Sequence, residues 1–181
     1  MKLLRSILLL NLFLLFYQNT VFSQNYFEKC LLQKDSIAPN FDLITTSGDS
    51  VHLSDYKGKI VVLDFWYVGC KPCVKAYNDI KAIENELGKN NFVILGMNPI
   101  TRKNKIIRYI KKGKYADKTI ICSKSIKNQY RIKAYPTIYV INKQGKIAIA
   151  TAGYYSDLKS KIKKVIIDES KNKKGSMRKF L

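Results

Sequence analysis

The chain has 181 residues, 46% apolar and 12% aromatic, which fits one ordinary domain with a buried core and excludes a disordered or fibrous chain. Its formal charge of +20, from 33 Lys and Arg against 13 Asp and Glu, favours an anionic partner. The lysines are spread through every segment without interleaved aromatic motifs, so nucleic acid is not expected. Weak association with an anionic membrane surface is the most that the charge alone supports.

In chain order, residues 1–23 read as a secretory signal peptide. Charge is confined to Lys2 and Arg5, an apolar run from Ile7 to Phe16 is broken only by Asn11, and small residues stand at Val21 and Ser23. The run is short for a hydrocarbon layer of about 30 Å, so a cleaved leader is expected over an uncleaved anchor. The expected location is periplasmic or elsewhere in the cell envelope. Residues 24–36 form a polar, irregular lead-in, and Cys30 within it lacks a lipoprotein-type context.

Residues 37–168 carry the periodic signals. Phe41, Leu43, Val51 and Leu53 alternate about the turn Ser47-Gly48-Asp49, as in a β-hairpin. Ile60 to Phe65 is apolar except for Asp64, the pattern of a strand buried on both faces. A helix is expected from Lys71–Cys73 to Leu87, with Ala76, Ile80, Ile83 and Leu87 on one face and Gly88 ending it. A strand from Phe92 to Met97, a basic helix from Arg102 to Lys112, a short strand from Lys118 to Cys122 and a helical turn from Ser125 to Tyr130 follow. Strands Thr137–Ile141 and Ile147–Ala152 flank the turn Asn142-Lys143-Gln144-Gly145, and Leu158–Ile167 is a last helix. From 169 to 181 a basic tail without periodicity is expected to be disordered. The order describes an α/β domain, a mixed sheet flanked by helices with an extra N-terminal hairpin.

The chemistry concentrates in D-F-W-Y-V-G-C-K-P-C, residues 64–73. Cys-x-x-Cys can bind metal, clip a loop or exchange electrons. Ordinary zinc spacing is absent, with His52 the one histidine and Cys30 and Cys122 far off, so neither metal nor cofactor is expected. A clip across so short a loop would constrain little of the unfolded chain. At a helix start, Cys70 would feel the macrodipole and ionise below the ordinary thiol value of about 8.5, while Cys73, one turn inside, would be the resolving cysteine. Lys71 adds positive charge, which favours the reduced form, and Pro72 suits a first helical turn. Asp64 would have its pKa raised by burial, which fits a proton acceptor for Cys73 but also a merely satisfied buried carboxylate. Tyr135-Pro136 opens a strand, and its peptide bond can be cis or trans. Trp66 would shield the site. Cys30 and Cys122 make the count even and leave a second disulfide open.

D-F-W-x-x-x-C-x-P-C with a distal Y-P-T resembles the thioredoxin superfamily. A-P-N-F-D-L and L-S-D-Y-K-G-K before the first core strand are similar to its exported TlpA/ResA branch. The resemblance spans about Ala38 to Ile167. It implies a thioredoxin-like fold and a thiol–disulfide oxidoreductase that acts as a reductant, with Cys70 attacking, Cys73 resolving, Asp64 as buried carboxylate and Pro136 as cis-proline. Trp66, Lys71, Pro72 and Tyr135 would meet the substrate. The implied partners are protein disulfides, among them apocytochrome c or cell-envelope proteins, and a membrane electron donor. The chain departs from relatives at Gly69, where many carry Trp and where approach to the sulfur is expected to open, and in lacking a helix-kinking proline near Tyr77-Asn78. Two rivals are a peroxiredoxin-like thiol peroxidase, which shares the S-D-Y-K-G-K lead-in but needs a P-x-x-x-T-x-x-C loop, and a non-catalytic surface-binding module with a structural disulfide.

Overall fold

A computed structural model describes residues 5–12, 26–88, 90–113, 115 and 118–171. Among the described residues from 31 on, seven strands, β1 (Asp42–Ile44), β2 (Ser50–His52), β3 (Ile60–Phe65), β4 (Phe92–Asn98), β5 (Thr119–Ile121), β6 (Thr137–Ile141) and β7 (Ile147–Ala152), are interspersed with four α-helices. These are α1 (Lys71–Leu87), α2 (Lys103–Lys111), α3 (Lys124–Gln129) and α4 (Leu158–Lys171). The main sheet has the order β5-β4-β3-β6-β7, parallel from β3 through β5 and antiparallel from β3 through β7. This is the expected mixed sheet. The hairpin β1–β2 is a separate antiparallel pair, with Leu43 opposite Val51. It touches the edge of the main sheet through a bridge between Thr45 and Ile120.

Alternation along β3 sorts the core, because successive side chains point to opposite faces. Val61, Leu63 and Phe65 enter one cluster with Tyr130 and Tyr139. Ile60 and Val62 enter another with Ala76, Ile80 and Ile83 of α1 and Leu158, Ile162 and Ile166 of α4. Asp64 shares the parity of Ile60 and Val62, so the strand directs its carboxylate to the face that α1 covers.

Two boundaries differ from expectation. The lead-in is not wholly irregular: residues 26–30 make a helical turn, held by the core through fully buried Leu31 and a bond from the Leu32 N–H to Tyr139 Oη at 3.2 Å. The last helix runs past Ile167 to Lys171. Lys143 Nζ donates to the carbonyls of Glu169 and Ser170, at 3.1 and 3.3 Å, meeting acceptors that a helix end otherwise leaves unpaired. The remaining tail, 172–181, lies outside the described residues. So does most of the expected leader, of which residues 5–12 form a helix with exposed side chains. Among the described residues no helix is long and apolar enough to cross a membrane.

Candidate active site

β3 ends at Phe65 and the chain turns through residues 66–70 into α1. Gly69 takes φ +98° in that turn, a left-handed conformation that side chains disfavour. Cys70 then occupies the N-cap of α1, and its sulfur accepts the N–H of Cys73 at 3.2 Å. That donor is one of those a helix N-terminus leaves free, so this position favours negative charge on the sulfur. Cys70 and Cys73 are joined as a disulfide, with Cα atoms 5.3 Å apart. Cys30 and Cys122 are free thiols; burial pushes the Cys122 thiol up to about 12.

The disulfide is well covered. Cys70 is 2% exposed and Cys73 0%. The expectation that Gly69 opens the sulfur is therefore not met: an added Cβ at Gly69 would find open space, yet the sulfur beside it is enclosed. The cover comes from elsewhere in the chain, since Trp66, Ile106 and Tyr115 form the disulfide's hydrophobic cluster, with Tyr67, Val68, Tyr109 and Tyr135 packed against it. Lys71 and Pro72 lie in the exposed first turn of α1.

Behind the disulfide stands a stack of rings. Trp66 lies face to face with Tyr115, centroids 3.7 Å apart, and Tyr115 stacks in turn on Tyr77 at 4.6 Å. Tyr109 tilts against the indole at 5.8 Å. The Tyr115 hydroxyl donates a hydrogen bond to Asp64 Oδ2. Asp64 is fully buried, and among the described residues its Oδ1 has no hydrogen-bond partner. Burial, which disfavours charge, pushes the Asp64 carboxyl up to about 7 against the lowering effect of the Tyr115 bond. The Tyr115 hydroxyl is itself raised well above its ordinary value, first by burial and then by the neighbouring carboxylate. A carboxyl that changes protonation near neutrality, with one free oxygen, is chemically able to accept and return a proton.

The second loop arrives from β6. Thr137 pairs with Phe65 across the sheet, so Tyr135-Pro136 meets the site at the strand end. The Tyr135–Pro136 peptide bond is cis. The loop is tied by Thr137 Oγ1 donating to the Ala134 carbonyl at 2.7 Å and by the Gly153 N–H donating to the Pro136 carbonyl at 2.7 Å. Tyr135 meets Tyr67 edge to face at 5.3 Å, joining the two loops.

The structure thus gathers Cys70, Cys73, Trp66 and Tyr135 in one cluster, reached by Asp64 through Tyr115, with Pro136 adjoining. His52 sits in the hairpin, paired with Asp42 at 3.3 Å. Among the described residues no three His, Cys, Asp or Glu side chains gather as metal ligands would. Sequence reasoning missed Tyr115, Tyr77 and Tyr109. It also missed a brace on the active-site loop, in which the Val68 N–H donates to Thr101 Oγ1 at 3.2 Å and the Thr101 N–H to Asn98 Oδ1 at 2.9 Å.

A model of the AhpC/TSA family matches residues 35–150. The thioredoxin-like protein YneN of Bacillus subtilis is 31% identical over 123 residues, covering 64% of this chain and 69% of YneN. The thiol-disulfide oxidoreductase ResA of the same organism is 28% identical over 135 residues, covering 74% and 75%. A crystal structure of a DsbE-type thiol:disulfide interchange protein from Chlorobium tepidum superposes with TM-score 0.69 at 23% identity, over 77% of this chain and 99% of that one, and shares the fold.

Proposed function

The chain belongs to the AhpC/TSA family and is a thioredoxin-like thiol–disulfide oxidoreductase, and on that premise we propose that it works outside the cytoplasm as a reductant of protein disulfides. The observation that carries this reading is Cys70 at the N-cap of α1, disulfide-bonded to Cys73, with the carboxyl of Asp64 fully buried behind it.

In the reduced protein the Cys70 thiolate, favoured by the Cys73 N–H and the helix end, attacks one sulfur of a substrate disulfide. The substrate S–S bond breaks, a Cys70–substrate bond forms, and the other substrate sulfur leaves as thiolate and takes up a proton. Asp64 carboxylate then accepts the proton of the Cys73 thiol. The Cys73 thiolate attacks Cys70 Sγ, closing the internal disulfide and releasing the second substrate sulfur, which is protonated in turn. The substrate gains two electrons and the protein loses two, so a dithiol donor must restore the reduced pair. By resemblance that donor is membrane-bound, and the substrates include apocytochrome c and cell-envelope proteins. Tyr135 and Pro136 would present backbone to an extended substrate beside the sulfurs, with Trp66 as the wall behind them.

Export rests on residues 1–23 as a leader, and the domain on residues 37–168. The direction rests on the branch resemblance. Lys71 pulls slightly toward oxidation, so the potential of the pair decides: near −270 mV marks a reductant and toward −120 mV an oxidant. The activity itself is tested by insulin reduction with dithiothreitol, where wild type should be active and Cys70→Ser inactive. Peroxide turnover in place of insulin reduction would favour the thiol peroxidase, and no activity in either protein the surface-binding module.

A further inference from the structure

α2 places a basic surface beside the disulfide's cluster. Its sequence, K-N-K-I-I-R-Y-I-K, contains no carboxylate. Ile106 turns inward and is fully buried in the disulfide's cluster, and Tyr109 packs beside it. On the outer side, Lys105, Arg108 and Lys112 recur at three- and four-residue spacing and so share one stripe. With Lys111, Tyr109 and Val68 they line an open groove of about 420 Å³.

One feature sets this groove apart, and a second suits it to an anion. Its floor residues, Val68 and Tyr109, also pack against the cluster that holds Cys70 and Cys73, so the groove is continuous with the site's cover. Val68 is held in place by the bond to Thr101, which makes that wall a fixed one. Its cations, like most of the described lysines and arginines, make no ion pair among the described residues, and the pairs that do form lie elsewhere. Lys81, Lys159, Lys161 and Lys163 each meet a carboxylate of Glu84, Glu86 or Glu28. Among the described residues none of Lys105, Arg108, Lys111 or Lys112 makes an ion pair, and Arg108 Nε bonds only a carbonyl of its own helix, at 3.3 Å. Four cations beside a redox pair favour encounter with an anionic chain and disfavour a basic one.

We propose that this groove receives an acidic polypeptide segment flanking the reactive cysteine of the substrate, so that the enzyme selects disulfides set in acidic sequence. The inference rests on the thiol-exchange reading above. A peptide is favoured over a lipid headgroup because the groove shares its floor with the cover of the disulfide, where the occupant must also deliver a sulfur.

The test uses two synthetic peptides with the same internal disulfide, one flanked by Asp and Glu and the other by Ser and Gln. Single-turnover rates are measured with the reduced full chain at low ionic strength and in 0.5 M salt. The acidic peptide should react about tenfold faster at low salt, and the ratio should fall toward one in high salt. It should also fall toward one in the triple variant Lys105→Glu, Arg108→Glu, Lys112→Glu. An equal charge change at the far end of the sheet, Lys57→Glu, Lys59→Glu, Lys146→Glu, should keep most of the preference. Each ratio is internal to one protein, which separates lost selectivity from lost folding. A wild-type ratio near one, with the neutral peptide turned over normally, overturns the proposal and leaves the oxidoreductase intact. A ratio that survives the α2 reversal also overturns it, as does a ratio near one together with α2-dependent binding to phosphatidylglycerol vesicles. No exchange with either peptide overturns the proposal and the activity together.

Discussion

The two ends of α1 lie in two different kinds of interior. Toward its C-terminus, Ala76, Ile80 and Ile83 meet Ile60, Val62, Ile138, Val140 and the α4 residues Leu158, Ile162 and Ile166, with Phe92 the single ring among the fully apolar contacts. At its N-terminus, the disulfide, Trp66 and Tyr115 are packed with half-buried tyrosines. Asp64 Oδ1, Trp66 Nε1 and Asn98 Nδ2 stand buried there without hydrogen-bond partners among the described residues. The first interior follows from the area rule alone, since each buried aliphatic side chain stabilises by about 1.5–3 kcal/mol. The second gives up stability, because a buried carboxyl without full hydrogen bonding is costly. Stability and chemistry are thus held by opposite ends of one helix.

Substitutions at the two ends should therefore separate folding from rate. Ile162→Ala, in the aliphatic interior, should cost about 2–5 kcal/mol in denaturant unfolding while leaving the rate constant for disulfide exchange near wild type. Asp64→Asn should do the reverse. It removes the proposed proton acceptor for Cys73 and should slow exchange by about 100-fold in the insulin assay. It should also stabilise the protein at pH 8. The sign follows from linkage: the carboxyl ionises near 7 when folded against an ordinary 3.8, so the folded state holds its proton more tightly. Its contribution is fully present below about pH 4 and is lost as pH rises toward 7, a decline on the order of 4 kcal/mol that Asp64→Asn should abolish.

Tyr115→Phe is a finer cut. It removes a hydrogen bond that favours the carboxylate, so the rate profile should shift to higher pH by about one unit, with little change in the limiting rate. The smallest effect is expected at Lys71, exposed and screened. Lys71→Gln should lower the reduction potential by roughly 5–20 mV in a glutathione titration, the equivalent of an exposed charge interaction.

Much of the sheet could be read from the sequence because its signals are local. The run Ile60–Phe65, the hairpin at Asn142–Gly145 and the spacing of Ala76, Ile80 and Ile83 each declare an element within a few residues. The placement of Cys70, Cys73 and Asp64 was legible for the same reason, since strand, turn and helix are contiguous there. Tyr115 was not. It lies 51 residues beyond Asp64 in an aperiodic stretch of sequence, and only the stacking of its ring on Trp66 turns it into the carboxylate's partner. The enclosure of Cys70 escaped sequence reasoning likewise, because its cover comes from Ile106, Tyr109 and Tyr135 on other elements. The extension of α4 to Lys171 depends on Lys143, a residue across the fold.

The central claim is proton transfer between Cys73 and Asp64 during exchange through Cys70. Its most direct measurement is single-turnover oxidation of the reduced protein by a disulfide peptide, followed by Trp66 fluorescence from pH 5 to 9 in wild type and Asp64→Asn. Expected is a wild-type rate that rises through an ionisation near 7, and a slower Asp64→Asn rate that lacks this rise. Superimposable profiles would contradict it.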